Sequence, residues 1–172
     1  MLSVMLNKHI EYYTQYISRY FNDTTLPYST GLEIKADEVF SICPGKVISV
    51  NYTSLSTYFV SVLVNEHQMV IYANLKSVSV KVGQEISFRT FIGNANKFVR
   101  FEYCTDVQDE SKWVVRTKSI TMYKHNPLGI LTGQIKLKVP VDNVHVATGD
   151  EEMIPLDKHV SAEFTGNRGE ES

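Results

Sequence analysis

A chain of 172 residues is long enough for one domain with extensions or for two small ones, and a hydrophobic content of 43% supplies a real core. Ten tyrosines against a single tryptophan, with aromatics at 11%, favour β structure and contacting surfaces. A formal net charge of −2 excludes a charge-driven attraction of the whole chain to nucleic acid or to an anionic membrane.

Residues 2–21 read as one amphipathic helix, because Leu6, Ile10, Tyr13, Ile17 and Tyr20 or Phe21 recur at helical spacing. Asn22 to Thr25 and then Pro27 end it. Tyr13, Ile17, Tyr20 and Phe21 form a face suited to packing on its own domain or to docking on a partner, tyrosine being common at interfaces. Asn7, Lys8, His9 and Glu11 interrupt any apolar run that could serve as a secretory signal, so the chain is expected to stay in a cytosol or to leave by another route. No stretch approaches the roughly 20 apolar residues of a membrane span.

From Gly31 onward the pattern turns to strands: GKVISVNY, TYFVSVLVNE, QMVIYANL, VSVKVGQEIS and KFVRFEYC. Pro44-Gly45, Asn65 to Gln68, Gly83-Gln84 and Gly93-Asn94 punctuate them. Strands at such close spacing with no helix between them predict an antiparallel sandwich or barrel. After Cys104 a polar stretch, TDVQDESK, precedes WVVRTKSITMYKHNPLGIL. The run GQIKLKVPVDNVHVAT alternates again, and Pro140 within it argues for an edge strand. The Gly-rich, charged end TGNRGEES predicts disorder. These signals divide the chain into an N-terminal helix (1–25), a β domain (26–131) and a C-terminal extension with an edge strand and tail (132–172).

Few residues outside this frame suggest chemistry. Cys43 and Cys104 are too far apart for a metal-binding pair and read as free, buried thiols. His9, His67, His125, His145 and His159 show no HxH or HExxH spacing, and His67 falls in a turn. Asp106, Asp109 and Glu110 read as a solvated acidic loop, and Lys136 and Lys138 as the polar face of a strand. No GxSxG elbow, phosphate loop or GxGxxG is present.

The order of short motifs resembles the lysostaphin-type zinc endopeptidases. Ser29-Thr30-Gly31-Leu32-Glu33-Ile34 is similar to that family's His-x-Gly-x-Asp-Ile, and Gly45-Lys46-Val47 to its Gly-x-Val. Val70 to Leu75 resembles Tyr-Ala-His-Leu, Val80 to Ile86 resembles Val-x-x-Gly-Gln-x-Ile, and Phe91-Ile92-Gly93 resembles its Ile-Gly. Phe98-Val99-Arg100-Phe101-Glu102 takes the place of His-Leu-His-Phe-Glu, and Asn126-Pro127 that of a closing Asn-Pro. The resemblance implies a mainly β fold, an antiparallel sandwich of the duplicated-hybrid-motif type.

It also implies where chemistry should sit. The family's three zinc ligands map to Ser29, Glu33 and Arg100, and its two further catalytic histidines to Asn74 and Phe98. A catalytic zinc needs three protein donors and an open position for water. Ser29 is a poor ligand, Arg100 places a cation where the metal belongs, and neither Asn74 nor Phe98 is a base near neutral pH. The expectation is therefore no metal, no cofactor and no peptidase activity. The matched charges motivate an Arg100–Glu33 ion pair in the former site.

An inactive fold of this kind suggests a structural protein, a late virion component of a bacteriophage tail or baseplate assembled in the host cytoplasm, with other structural proteins as partners. The alternative is a regulatory binding module in a bacterial cytoplasm, such as an activator of a cell-wall hydrolase. Loops as short as Asn65 to Gln68 predict at most weak binding of peptidoglycan, and no nucleic-acid partner is expected.

Overall fold

The computed structural model describes residues 3–4, 16–21, 30–116, 119–140 and 161–164. Strands β1 (Ser3–Val4), β2 (Ile17–Arg19), β3 (Leu32–Lys35), β4 (Glu38–Phe40), β5 (Gly45–Tyr52), β6 (Tyr58–Asn65) and β7 (Gln68–Val78) come first. They are followed by β8 (Glu85–Ile86), β9 (Phe91–Thr105), β10 (Val114–Arg116), β11 (Thr121–His125), a short helix α1 (Leu128–Thr132), β12 (Leu137–Pro140) and β13 (Ser161–Phe164). The expected antiparallel β fold is what forms: β1 to β11 make an 11-stranded sheet, and β12 and β13 a second sheet of two strands.

The 15-residue strand β9 organises the sheet. One of its edges pairs with β7 along most of its length. The other edge is shared in succession by β4 at Phe91–Asn94, β3 at Phe98–Phe101 and β11 at Tyr103–Thr105. Its partner β7 is buried on both faces over Met69–Ala73, which is why QMVIYANL reads as a continuous apolar run instead of an alternating one. Val70, Tyr72 and Leu75 of β7 join Leu32, Ile34, Val99 and Phe101 in the main core. Met69, Ile71 and Ala73 point the other way and meet Cys104 and Met122 in a smaller cluster.

Several motif residues have local structural causes. Tyr72 is 1% exposed, and its hydroxyl accepts the Ile42 N–H at 2.9 Å, so the phenol satisfies a backbone donor that the core would otherwise strand. Burial raises its pKa well above the ordinary tyrosine value. In the Val-Gly-Gln turn, Gly83 has φ +91°, a region that a side chain disfavours. The Gln84 side chain accepts the Lys81 N–H at 3.0 Å, and the Gly83 N–H donates to the Val47 carbonyl at 2.8 Å.

Two expectations are corrected. The stretch read as a helix over 2–21 contains strand β1 and, at its end, strand β2, whose Ile17 and Arg19 pair with Ile34 and Glu33. Ile17 also packs on the main core, so the open edge of β3 offered it both hydrogen bonds and burial. Residues 5–15, including Tyr13, lie outside the described residues. Val80 to Val82, read as part of a strand, lie outside any strand, while Gly83-Gln84 falls in the expected turn between β7 and the two-residue β8. Leu128–Thr132, assigned no element from the sequence, is helical and ends on Gly133 in the left-handed region. The expected edge strand near Pro140 is present as β12, paired antiparallel with β13; residues 141–160 and 165–172 lie outside the described residues.

Candidate functional site

The motif positions converge on the face of β9 opposite the main core. Side chains two apart on a strand share a face, so Arg100 and Glu102 stand side by side. Across the sheet the register runs Arg19, Glu33, Arg100, Ala73 on β2, β3, β9 and β7. Arg19, Glu33 and Arg100 therefore form one row on three neighbouring strands.

The row does not pair as the charges alone suggested. Glu33 Oε2 lies 3.5 Å from Arg19 Nη1, with both side chains more than four-fifths covered. Arg100 turns along its own strand, and its Nε donates to Glu102 Oε2 at 2.9 Å. The expected Arg100–Glu33 ion pair is thus replaced by two others. Glu33 is paired with Arg19 from β2, and Glu102 with Arg100 from two residues away.

Glu102 is the centre of this arrangement. Its side chain is 3% exposed, a position that an isolated carboxylate would not tolerate. It is held by three groups: Arg100 Nε, Lys124 Nζ at 2.9 Å on its other oxygen, and the Thr30 hydroxyl, which donates to Oε2. Lys124 reaches it from β11, where it pairs with Cys104. Thr30 reaches it because the chain passes close at Gly31; a Cβ there would stand 2.4 Å from the Phe101 carbonyl oxygen and 2.8 Å from Glu102 Cγ. Charge-assisted hydrogen bonds at these distances satisfy both carboxylate oxygens.

Asn74 and Phe98 sit beside this row. Asn74 has φ +64°, at a register break between Ala73 and Leu75. Its amide donates to the Asn96 carbonyl at 3.1 Å and to the Phe98 carbonyl at 2.9 Å. Asparagine tolerates the left-handed region better than most residues, and here its side chain supplies donors that the bulged ladder lacks. Phe98 is half-buried and pairs with Lys35. Ser29 lies outside the described residues. Among the described residues no three His, Cys, Asp or Glu side chains converge in a way that could hold a metal ion.

Sequence reasoning missed Arg19, Thr30, Glu102 and Lys124. Glu102 was within reach, since its spacing of two from Arg100 puts both on one face. Arg19 and Lys124 had no such signal, because their place depends on pairings to β3 and β9.

A second polar cluster lies at the far end of β7 and β9. A cleft of about 770 Å³ is lined by residues including His67, Gln68, Tyr103, Asp106 and Lys138. His67 Nδ1 is 2.5 Å from Asp106 Oδ2, and that hydrogen bond, with the carboxylate's charge, raises the imidazole pKa above its ordinary value. Gln68 Nε2 donates to the Tyr103 hydroxyl at 2.8 Å and to the Lys136 carbonyl at 2.9 Å, while its Oε1 accepts the Lys138 N–H at 2.9 Å. These bonds make it a side-chain tether for β12. Of the face read as a docking surface, Tyr20 is 43% exposed and Phe21 half-buried.

Comparison with known proteins bears on this geometry. Residues 27–102 match the profile of Peptidase family M23. No match to a curated protein sequence was found. The chain is similar to the antimicrobial peptidase lysostaphin from Staphylococcus simulans, at 14% identity and a TM-score of 0.57, covering 74% of this chain and 55% of that one. The solution structure of lysostaphin gives 13% identity and a TM-score of 0.55 over the same shares. The catalytic domain of a prophage-encoded M23 protein, EnpA, from Enterococcus faecalis shares 17% identity at a TM-score of 0.46, covering 54% of this chain and 81% of that one. The chain thus spans a little over half the length of the lysostaphin structures, and at these identities the likeness concerns the fold. Residues 27–102 resemble Peptidase family M23 in profile, and the chain resembles lysostaphin in fold.

Proposed function

We propose that this M23-type fold is a non-catalytic structural unit, and that the protein is a component of a bacteriophage tail or baseplate. The observation that carries the first part is the commitment of the side chains at the positions matched to the family's site. Glu33 is paired with Arg19, Arg100 with Glu102, and Asn74 with two backbone carbonyls.

Zinc is the ion that the family implies, and the residues present do not fit it. A guanidinium, permanently protonated, occupies one matched ligand position and donates hydrogen bonds where an electron pair is needed. The carboxylate at a second position already has a cation. No water-activating step is therefore assigned to this site.

The assembly context rests on a fold used for wall cleavage being kept without its donors, and on exposed aromatic surface such as Tyr20 and Tyr52, at 43% and 62%. Two measurements test the reading. Purified protein, dialysed against zinc, is expected to retain none by elemental analysis and to leave peptidoglycan uncleaved; one equivalent of zinc with hydrolysis of the wall would reverse it. Purified tail particles are expected to contain the chain in fixed stoichiometry, and its absence from them would remove the virion assignment.

A further inference from the structure

We propose that Arg19, Arg100 and Lys124 form a built-in cationic lock that neutralises the carboxylates of this face, and that this lock adds to the missing ligands in keeping zinc out. The inference rests on the non-catalytic reading above and extends it to residues outside the family's motifs.

The geometry points this way on two counts. A zinc bound by residues of the first and last motifs would tie β3 to β9 through one divalent charge. Here fixed charges of the chain tie each of those two strands to a neighbouring strand instead. Arg19 joins β2 to Glu33 of β3, at 3.5 Å. Lys124 joins β11 to Glu102 of β9, at 2.9 Å, and Arg100 completes the neutralisation of that carboxylate at 2.9 Å. Thr30, at the entrance to β3, donates to the same carboxylate. The charges alternate as Arg19, Glu33, Arg100, Glu102, Lys124, so each carboxylate has at least one cation and the series carries an excess of one positive charge.

The second count is electrostatic. Lys124 and Arg19 are less than one-fifth exposed, so solvent screens them poorly. They would remain beside the site even if residue 100 were made a histidine. A divalent cation arriving there would meet two fixed positive charges, and Glu33 would have to leave Arg19 to ligate it. Restoring the family's donor set is therefore not sufficient for metal binding; Arg19 and Lys124 must also be removed.

Two sets of variants of the full chain test this. In the first, Lys124→Met is compared with Lys112→Met, a change at an exposed lysine. Loss of one cation from a buried carboxylate is expected to lower the melting temperature by about 5 °C or more, and the control by about 1 °C or less. Equal melting temperatures would overturn the lock. In the second, zinc retained after dialysis is measured for three proteins. These are the unaltered chain, a triple variant (Ser29→His, Glu33→Asp, Arg100→His), and the same triple variant carrying Arg19→Gln and Lys124→Met. The expectation is no zinc in the first two and one equivalent in the third. One equivalent in the triple variant would sink the lock while leaving the non-catalytic reading intact. Zinc in the unaltered chain would sink that reading. A folded five-fold variant that takes up none would show that the cations were not what excluded the metal.

Discussion

Asn74 carries two separable contributions, a left-handed backbone and two side-chain hydrogen bonds, and substitutions can divide them. Asn74→Gly keeps the backbone at ease and loses the bonds, whereas Asn74→Ala loses both. The expected order of stability in urea unfolding is Asn above Gly above Ala, with Ala about 2 kcal/mol below the parent. A reversed order of Gly and Ala would show that φ at this position matters little. The sequence reading of Asn74 went as far as saying that it cannot be a base. Its structural use was not legible, because the bulge that sets its φ follows from the register between β7 and β9. The thiols were legible: Cys43 and Cys104 are free and fully buried, and burial pushes both up to about 12. A disulfide reagent at pH 8 is expected to modify neither until denaturant is added, since the thiolate is the reactive form. Rapid labelling of the native protein would contradict this.

Between elements, the polar groups at the β6–β7 turn act as fasteners. His67 links that turn to the segment following β9 through Asp106. Its pKa is raised in the folded state, so the link contributes stability that is fully present below the unfolded value of about 6.5. That contribution is lost as pH rises through the higher folded value. Titration of the His67 ring protons by NMR is expected to give a midpoint above 6.5, and Asp106→Asn is expected to bring it back toward the ordinary value. The neighbouring Gln68 holds β12 through Lys136 and Lys138, so Gln68→Ala is expected to speed amide exchange across residues 136–140 while leaving β7 protected. The sequence placed a turn at Asn65 to Gln68 and an edge strand near Pro140, but it could not show that one fastens the other across about 70 residues. The same distance problem explains the helix expected over 2–21. Its apolar period is real, yet β3 has an open edge that Ile17–Arg19 can fill, and the pairing won where the two competed.

For the molecule as a whole, the sheet is undivided: β9 is hydrogen-bonded to strands that precede it and to one that follows it. The single tryptophan, Trp113, lies in the segment before β10, and its carbonyl accepts the Lys124 N–H at 2.9 Å, next to the Lys124–Glu102 pair. Unfolding followed by Trp113 fluorescence and by far-ultraviolet circular dichroism is expected to give coincident transitions. Separate midpoints would mean that β10 and β11 melt independently of the main sheet. The class of fold was legible because short strand patterns and their turns are local. The strands that carry Glu33, Asn74, Phe98 and Arg100 were legible from local pattern, whereas the places of Arg19 and Lys124 were not, because only the closed sheet brings them near.

The position of β9 also bears on how the chain is made. Strands β3, β4 and β7 are synthesised before the strand that all three pair with. During translation at about 5–20 residues per second, the stretch from the end of β7 to the end of β9 takes a few seconds to appear. Over that interval the nascent chain presents unpaired apolar edges on the ribosome, which are templates for mispairing with other chains. A polypeptide whose copies are made side by side on one message therefore has its greatest exposure to aggregation, and its greatest need of a chaperone, before residue 105 emerges.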